Sequence, residues 1–298
     1  MEHIIAALSN FKPKKEIIIP LLIILMFFWS LVHHFSKIVV AEIKPALVGF
    51  LRYAFGAIAI LILMIIRKER LQNCDRRIGH KFCCTTKSTT KTRKNDAVVL
   101  ICFGVLGGIA MLFMLIGLQM STATNSAILV NTSPLFVTLL APLLIGEKVT
   151  RIQFIGVIIA FIGIVLVTMN GLTISEFLRN ELLLGNLAFL ASALLISLTI
   201  VYGKRYIHIH GALVYTFYSA IGGALALFLY ALLSNELLTI SKITPIFWLI
   251  IIYMGMFVTG FTYALWAYGV KHIGASRATA LKLLITLFAT LSSVVLLG

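Results

Sequence analysis

Acidic residues and charged residues in general are scarce in this 298-residue sequence. Ten Asp and Glu stand against 25 Lys and Arg, and all charged residues together make up only 12% of the chain. A soluble domain carries about 25% charged residues, which it needs to cover its surface. Hydrophobic residues reach 60% here. This composition excludes an ordinary soluble fold, and the surplus apolar surface is expected to face lipid.

Cysteines are also few, and they do not form a recognisable set of ligands. Cys74, Cys83 and Cys84 lie in a basic loop that we predict to be cytoplasmic, where disulfides are rare. Together with His80 they match no standard zinc-ligand spacing, and Cys102 lies apart from them. We therefore expect no structural metal and no cofactor.

Long apolar runs dominate the rest of the chain. Nine of them are each long enough to cross a hydrocarbon core of about 30 Å as a helix. Their residues are 17–40, 45–66, 97–118, 125–145, 152–168, 183–202, 212–233, 245–270 and 275–297. The runs are continuous rather than alternating, which favours helices over strands. The sequence predicts an all-α, multi-pass protein of the cell membrane (the inner membrane, if the source is bacterial).

The basic residues between the runs predict the orientation. If the N-terminus is cytoplasmic, most of the loop lysines and arginines lie inside, and only Lys44, Arg179 and Lys242 lie outside. The long basic loop 67–96 is then cytoplasmic and, from its Thr, Lys and Ser content, flexible. Because the net charge of +15 is spread over such loops, it indicates membrane topology and not nucleic-acid binding.

An internal repeat relates the two halves of the chain. Residues 117–146 align without a gap to residues 269–298, and both segments contain Leu-Phe-x-Thr-Leu. The shift equals five predicted spans, and an odd number of spans inverts one half relative to the other. We predict a first repeat of five spans over 1–171 and a second of four over 183–298. The counterpart of the fifth span is missing, so either the chain is truncated or the protein works with nine spans, and truncation is the simpler explanation of an incomplete repeat.

Ordered motifs in both halves resemble the EamA-type transporters of the drug/metabolite transporter superfamily. They are Trp29 with Lys37, Arg52, Thr124-Asn-Ser-Ala-Ile-Leu, Ser133-Pro-Leu-Phe, Gly146-Glu-Lys, Gly156 with Gly163, Gly260-Phe-Thr-Tyr-Ala-Leu-Trp-Ala-Tyr and Gly274-Ala-Ser-Arg-Ala-Thr-Ala. The resemblance implies a ten-helix fold of two inverted five-helix repeats. It also implies export of amino acids or related compounds by alternating access, rather than enzyme activity.

No acidic residue lies in the middle of a predicted span, which disfavours a proton-coupled exporter of cationic drugs. The charges within spans are basic. Arg52 suits a carboxylate or phosphate, or alternatively bonds to carbonyls of the first span. Lys37 either reaches toward the membrane interface or lines a cavity. Lys282 either holds an anionic group of the substrate or reaches to the cytoplasmic side.

Further candidates complete a predicted substrate site. Trp29, His33 and Lys37 are spaced by four and share one helix face. Asn131 lies just before Pro134, where we expect a broken helix. Tyr263 and Trp266 are candidates for an aromatic wall. The predicted substrate-binding residues are Trp29, His33, Lys37, Arg52, Asn131, Tyr263, Trp266 and Lys282.

Small residues spaced by four predict close helix packing at four places, within one chain or in a homodimer. They are Gly104 with Gly108, Gly156 with Ala160, Ser219 with Gly223, and Gly260 with Ala264. The favoured function is a secondary transporter of small anionic or zwitterionic metabolites, acting as a monomer or homodimer. An organophosphate or nucleotide-type exchanger, a membrane-embedded enzyme and a structural membrane protein remain as alternatives.

Overall fold

A computed structural model describes residues 15–67, 90–147, 149–169 and 181–289. Within these ranges the regular structure is helical throughout, without strands. The predicted flexible loop, with Cys74, His80, Cys83 and Cys84, lies almost entirely outside the described residues, as do both chain ends.

Among the described residues, the first half contains six α-helices and one 3₁₀ turn. They are α1 (Lys15–Glu42), α2 (Pro45–Arg67), α3 (Thr90–Met120), α4 (Ala123–Leu129), a 3₁₀ turn (Val130–Thr132), α5 (Ser133–Ile145) and α6 (Arg151–Met169). The second half contains α7 (Leu183–His210), α8 (Ala212–Leu233), a 3₁₀ segment (Glu236–Lys242), α9 (Pro245–Ile252), a π-helical segment (Tyr253–Thr262), α10 (Tyr263–Ile273) and α11 (Ala275–Ala280). The chain is helical again over 283–289.

In the part of the chain that the structure describes, seven helical stretches are long and apolar enough to cross a membrane. They are Ile17–Glu42, Pro45–Ile66, Asp96–Met120, Ala123–Ile145, Leu183–His210, Ala212–Leu233 and Pro245–Ile273. All seven coincide with predicted runs. The fifth predicted run forms α6 (Arg151–Met169), which is not among the seven candidate spans. The ninth run begins as α11 and passes beyond the described residues. The structure therefore establishes seven candidate spans, and the predicted count of nine is not established.

Two of these spans depart from regular α-helix geometry. The span Ala123–Ile145 is interrupted by the 3₁₀ turn just before Pro134, because proline has no N–H to donate and its ring crowds the carbonyl one turn earlier. The predicted break in this helix is therefore confirmed. The span Pro245–Ile273 widens into the π-helical segment, where Thr259 Oγ1 donates to Met254 O at 3.0 Å. Such irregular turns are frequent at functional sites.

Glycines allow the central helices to touch through their backbones. A Cβ at Gly104 would collide with the backbone of Ser219 and Gly222, and a Cβ at Gly108 would collide with Gly223. The small-residue motifs of α3 and α8 therefore pack against each other within the chain, as one of the two alternatives predicted. Gly260 similarly packs on Ala59 of α2, whereas a Cβ at Gly156 of α6 would meet no atom of the described residues within 4 Å.

The outer surface of the helix bundle is apolar. Large aliphatic side chains project from it, among them Leu143 at 80%, Ile152 at 83% and Leu233 at 83% exposure. Polar side chains such as Arg52, Asn131 and Ser192 are buried instead. This arrangement suits a lipid environment, because lipid offers no hydrogen bonds to outward-facing polar groups. Together with the seven apolar helices, it identifies a multi-pass membrane protein.

The contact between α3 and α8 generates a stability prediction. We expect Gly222→Ala to lower the free energy of unfolding by about 2 kcal/mol or more, because the added methyl meets backbone atoms that cannot rotate away. Thermal unfolding of the purified protein in detergent measures the change. Gly156→Ala is the matched control, and we expect it to be neutral. Equal unfolding temperatures for the two variants would contradict this packing.

Candidate functional site

A cavity of about 140 Å³ lies between helices from both halves of the chain. Its walls come from α1, α2, α3, the 3₁₀ turn, α7, α8, the π-helical segment, α10 and the residues that follow α11. Seven of the eight predicted substrate-binding residues line it: Trp29, His33, Arg52, Asn131, Tyr263, Trp266 and Lys282. The structure thus brings these residues together, and their binding of a substrate stays a prediction.

Arg52 is the first of two basic side chains in the cavity. It is only 2% exposed, and its Nη1 lies 3.3 Å from Ser36 Oγ of α1 and 3.6 Å from Met111 Sδ of α3. Its Nε is buried without a hydrogen-bond partner among the described residues. The contact with the first span is therefore to a hydroxyl, and donor capacity of the guanidinium remains unused.

Lys282 is the second basic side chain. Helix α11 ends at Ala280, and Lys282 occupies the turn before the helix resumes, where its backbone N–H donates to Thr279 O at 2.9 Å. The side chain is 6% exposed, so it lies buried against the cavity instead of reaching a membrane surface. Its Nζ lies 5.3 Å from the centroid of Trp29 and 5.7 Å from that of Trp266, both within cation–π range.

Three aromatic rings form the wall beside Lys282. The Trp29 ring lies 4.9 Å from the Tyr263 ring and 6.2 Å from the Trp266 ring, measured between centroids. Trp29 Nε1 donates to Thr262 Oγ1 at 2.5 Å, which fixes the indole across the two halves. Trp266 Nε1 is buried and has no acceptor among the described residues. The predicted aromatic wall exists, and one indole donor in it is unused.

Asn131 and His33 are held by the broken span. Asn131 Nδ2 donates to Ala127 O at 2.7 Å, and Thr286 Oγ1 donates to the same carbonyl at 3.0 Å. The contact from Thr286 joins the second half of the chain to the interrupted helix of the first half. His33 Nδ1 lies 2.9 Å from Ser126 Oγ of α4. Both side chains are buried, and both are oriented by α4 and the turn that follows it.

Lys37, the eighth predicted substrate-binding residue, is not among the residues that line the cavity, which was one of its two predicted positions. Its Nζ donates to Leu118 O at 2.5 Å and to Ser121 O at 2.7 Å, at the C-terminal end of α3. A lysine is favoured there because the last carbonyls of a helix lack partners and carry partial negative charge. Helix spacing placed Lys37 on the correct side of α1 but could not show this neighbouring helix end.

Acidic side chains within the described ranges lie away from the cavity, whose lining contains none. Glu147 accepts from Lys204 Nζ at 2.6 Å and from the Ser276 backbone N–H at 3.3 Å, which joins α5 to α7 and α11. Glu236 accepts from the Ala46 N–H at 2.8 Å at the start of α2. These carboxylates serve helix ends, so neither compensates the cavity cations.

Several lining residues were not predicted from the sequence. Tyr53, Met111, Ser192, Thr199 and Tyr215 also face the cavity. Tyrosine in an apolar run is typical of a membrane interface, and Met is typical of packing, so their types pointed elsewhere. The hydroxyls of Ser192 and Thr199 within a span were a usable signal, because such groups avoid lipid.

Comparison with known proteins places the chain among membrane transporters. The model of the EamA-like transporter family matches residues 16–169 and 183–298. The uncharacterized transporter YyaM of Bacillus subtilis (strain 168) is 26% identical over 244 residues, which is 82% of this chain and 74% of YyaM. An uncharacterized transporter of Methanothermobacter thermautotrophicus is 27% identical over 273 residues, which is 88% of this chain and 74% of that protein.

A solved structure supports the fold. One crystal structure, described only as that of a protein, superposes with a TM-score of 0.63 at 19% sequence identity. The match covers 92% of this chain and 87% of the other. At this identity the likeness concerns the fold alone.

The two lysines generate opposite stability predictions. We expect Lys37→Met to lower the free energy of unfolding by about 1–3 kcal/mol, because it leaves two helix-end carbonyls without a donor. We expect Lys282→Met to raise it by about 1–4 kcal/mol in the absence of ligand, because it removes a buried charge that has no carboxylate partner among the described residues. Thermal unfolding in one detergent compares the variants. Equal destabilisation by both would assign Lys282 a structural role.

Proposed function

Since the chain belongs to the EamA-like transporter family, we propose that it is a secondary active transporter that moves small organic metabolites through this cavity by alternating access. The proposed direction is export, and the proposed substrates are amino acids or related anionic and zwitterionic solutes. Energy comes from a solute gradient rather than from ATP.

One observation carries the proposal: two basic side chains are buried at a cavity whose described lining contains no carboxylate. An intramembrane charge without a partner is costly, and such residues commonly mark a substrate pathway. A guanidinium and an ammonium that face unused space suit a carboxylate, because charge-assisted hydrogen bonds to it are strong and directional. Arg52 and Lys282 are therefore the proposed substrate contacts, with Trp29, His33, Asn131, Tyr263 and Trp266 shaping the site.

The donors at the cavity also bear on the alternative substrates. The arginine fork also suits phosphate, so exchange of a small organophosphate is the second candidate function.

We propose nine spans arranged as inverted halves, 1–171 and 183–298, with a cytoplasmic N-terminus. Helix contacts between the halves support this arrangement. Helix α3 packs on α8, and the π-helical segment between α9 and α10 packs on α2. These contacts pair span three with span seven and span eight with span two. A two-fold axis that relates each span to the one five positions along converts the first pair into the second. The separate family matches at 16–169 and 183–298 have the same division.

The proposed orientation predicts cysteine accessibility. In a variant whose native cysteines are replaced by serine, Leu238→Cys lies in the exposed 3₁₀ segment after α8 and should react with a membrane-impermeant maleimide in intact cells. Arg277→Cys lies at an exposed position of α11 and should react only after permeabilisation. The reverse pattern would contradict a cytoplasmic N-terminus.

The proposed contacts predict a transport defect. We expect Arg52→Gln and Lys282→Gln each to reduce counterflow in proteoliposomes by at least tenfold, which corresponds to about 1.4 kcal/mol of lost interaction. A panel of radiolabelled amino acids and organic acids identifies the solute, and ATP is omitted. Arg277→Gln removes an exposed charge outside the cavity and should retain counterflow. Undiminished counterflow in both cavity variants would contradict the proposal.

A further inference from the structure

The two cavity cations lie at different levels along α1. Arg52 Nη1 contacts Ser36 Oγ at 3.3 Å, whereas Lys282 Nζ lies 5.3 Å from the Trp29 ring. Trp29 and Ser36 are seven residues apart on one helix, which corresponds to about 10 Å along its axis. His33 lies between these two levels and lines the same cavity. The site therefore has two separate positive poles rather than one cluster of positive charge.

Each pole also contains a buried donor that is unpaired among the described residues. At the first pole it is Arg52 Nε, and at the second it is Trp266 Nε1, whose ring lies 5.7 Å from Lys282 Nζ. A carboxylate has two oxygens and accepts several hydrogen bonds, so it can satisfy a charged donor and a neutral donor together. At the first pole the unused N–H belongs to the guanidinium itself, and at the second a neutral indole N–H lies near the ammonium; an acidic group suits both ends.

The separation of the poles limits the ligand length. If the two cations keep the ~10 Å spacing of the α1 residues that they contact, charge-assisted hydrogen bonds of about 2.8 Å at each end leave about 4–5 Å between two bridging acidic groups. A spacer of two or three carbons has this length. Both cations line the same cavity, so a ligand of that length can reach each of them.

Charge separates a diacid from other small solutes. A zwitterionic amino acid brings an ammonium group, for which the described lining offers no carboxylate. A monocarboxylate neutralises one pole and leaves the other buried and unpaired. A dianion, either a dicarboxylate or a small organophosphate, balances both Arg52 and Lys282, and the separation of the two poles favours two acidic groups over one.

We propose that the cavity selects short dicarboxylates, with one carboxylate at Arg52 and the other at Lys282 and Trp266. This inference rests on the proposed transport function and narrows its substrate class. Tyr53, Tyr215 and Tyr263 line the space beside the two poles and supply hydroxyl groups near the ligand.

The test uses the purified protein and a length series of diacids: malonate, succinate, glutarate, adipate and suberate. We expect the largest thermal stabilisation with succinate or glutarate. Malonate and suberate, at the ends of the series, should need at least tenfold higher concentrations for half-maximal stabilisation. Valerate, norvaline and cadaverine are controls that match the length of glutarate with one acid, a zwitterion and a dication. Stabilisation by valerate or norvaline as strong as by glutarate would overturn the dicarboxylate assignment.

Variants test each pole separately. In Arg52→Gln and Lys282→Gln, the advantage of glutarate over valerate should fall from at least tenfold to about onefold, whereas Arg277→Gln should keep it. Arg52→Lys retains the charge and should keep part of the preference, which provides a second measurement if Arg52→Gln does not fold. A full preference in both Gln variants would overturn the assignment of the poles.

Counterflow of radiolabelled succinate or glutarate in proteoliposomes distinguishes failure of this inference from failure of the proposed function. Binding of the diacid without counterflow would leave the dicarboxylate site in place and overturn transport as its role. Counterflow of amino acids or monoacids without that of diacids would keep transport and overturn the dicarboxylate inference.

Discussion

Two positive charges, on Arg52 and Lys282, are buried without a carboxylate partner among the described residues, and the rest of the structure is organised around this constraint. Moving an ion out of water into a protein interior costs several kcal/mol even after relaxation. Arg52 and Lys282 are nevertheless buried, and the carboxylates of Glu147 and Glu236 are bound to helix ends elsewhere. An anion bound in the cavity would offset this cost. A site of this kind is less stable when empty than an apolar core would be, and the difference favours ligand binding.

Helix packing around the cavity follows from the same environment. Because lipid is as apolar as the helix surfaces, association relies on close contact and not on the removal of apolar surface from water. The glycines of α3 and α8 provide that contact, and Gly56, Gly255 and Gly260 provide it between α2 and the π-helical segment. Irregular turns then release space and polar backbone groups beside the cavity. The glycine contacts and the irregular turns therefore both lie in the helices that surround the cavity.

Hydropathy and motif order predicted much of this arrangement. Seven of the nine predicted spans are candidate spans in the structure, because lipid exposure imposes long apolar runs. The family was predicted correctly, and seven of the eight proposed site residues lie together at the cavity. The bonds of Lys37 to Leu118 O and Ser121 O were not predicted, because helical spacing specifies a side of α1 but not the carbonyl groups of another helix. Tyr53 and Tyr215 were missed because a tyrosine in an apolar run has the same appearance at an interface and at a cavity. The links that Glu147 makes to Lys204 and Ser276 depend on tertiary contacts and leave no local pattern.

The most direct test of the account is an experimental structure with a bromine-labelled succinate, in which the anomalous signal locates the ligand. The account predicts bromine in the cavity between Arg52 and Lys282, with one carboxylate within about 3 Å of the guanidinium and the other within about 3 Å of the Lys282 ammonium. Bromine bound only outside the cavity, or bound inside it with neither cation in contact, would contradict the central claim.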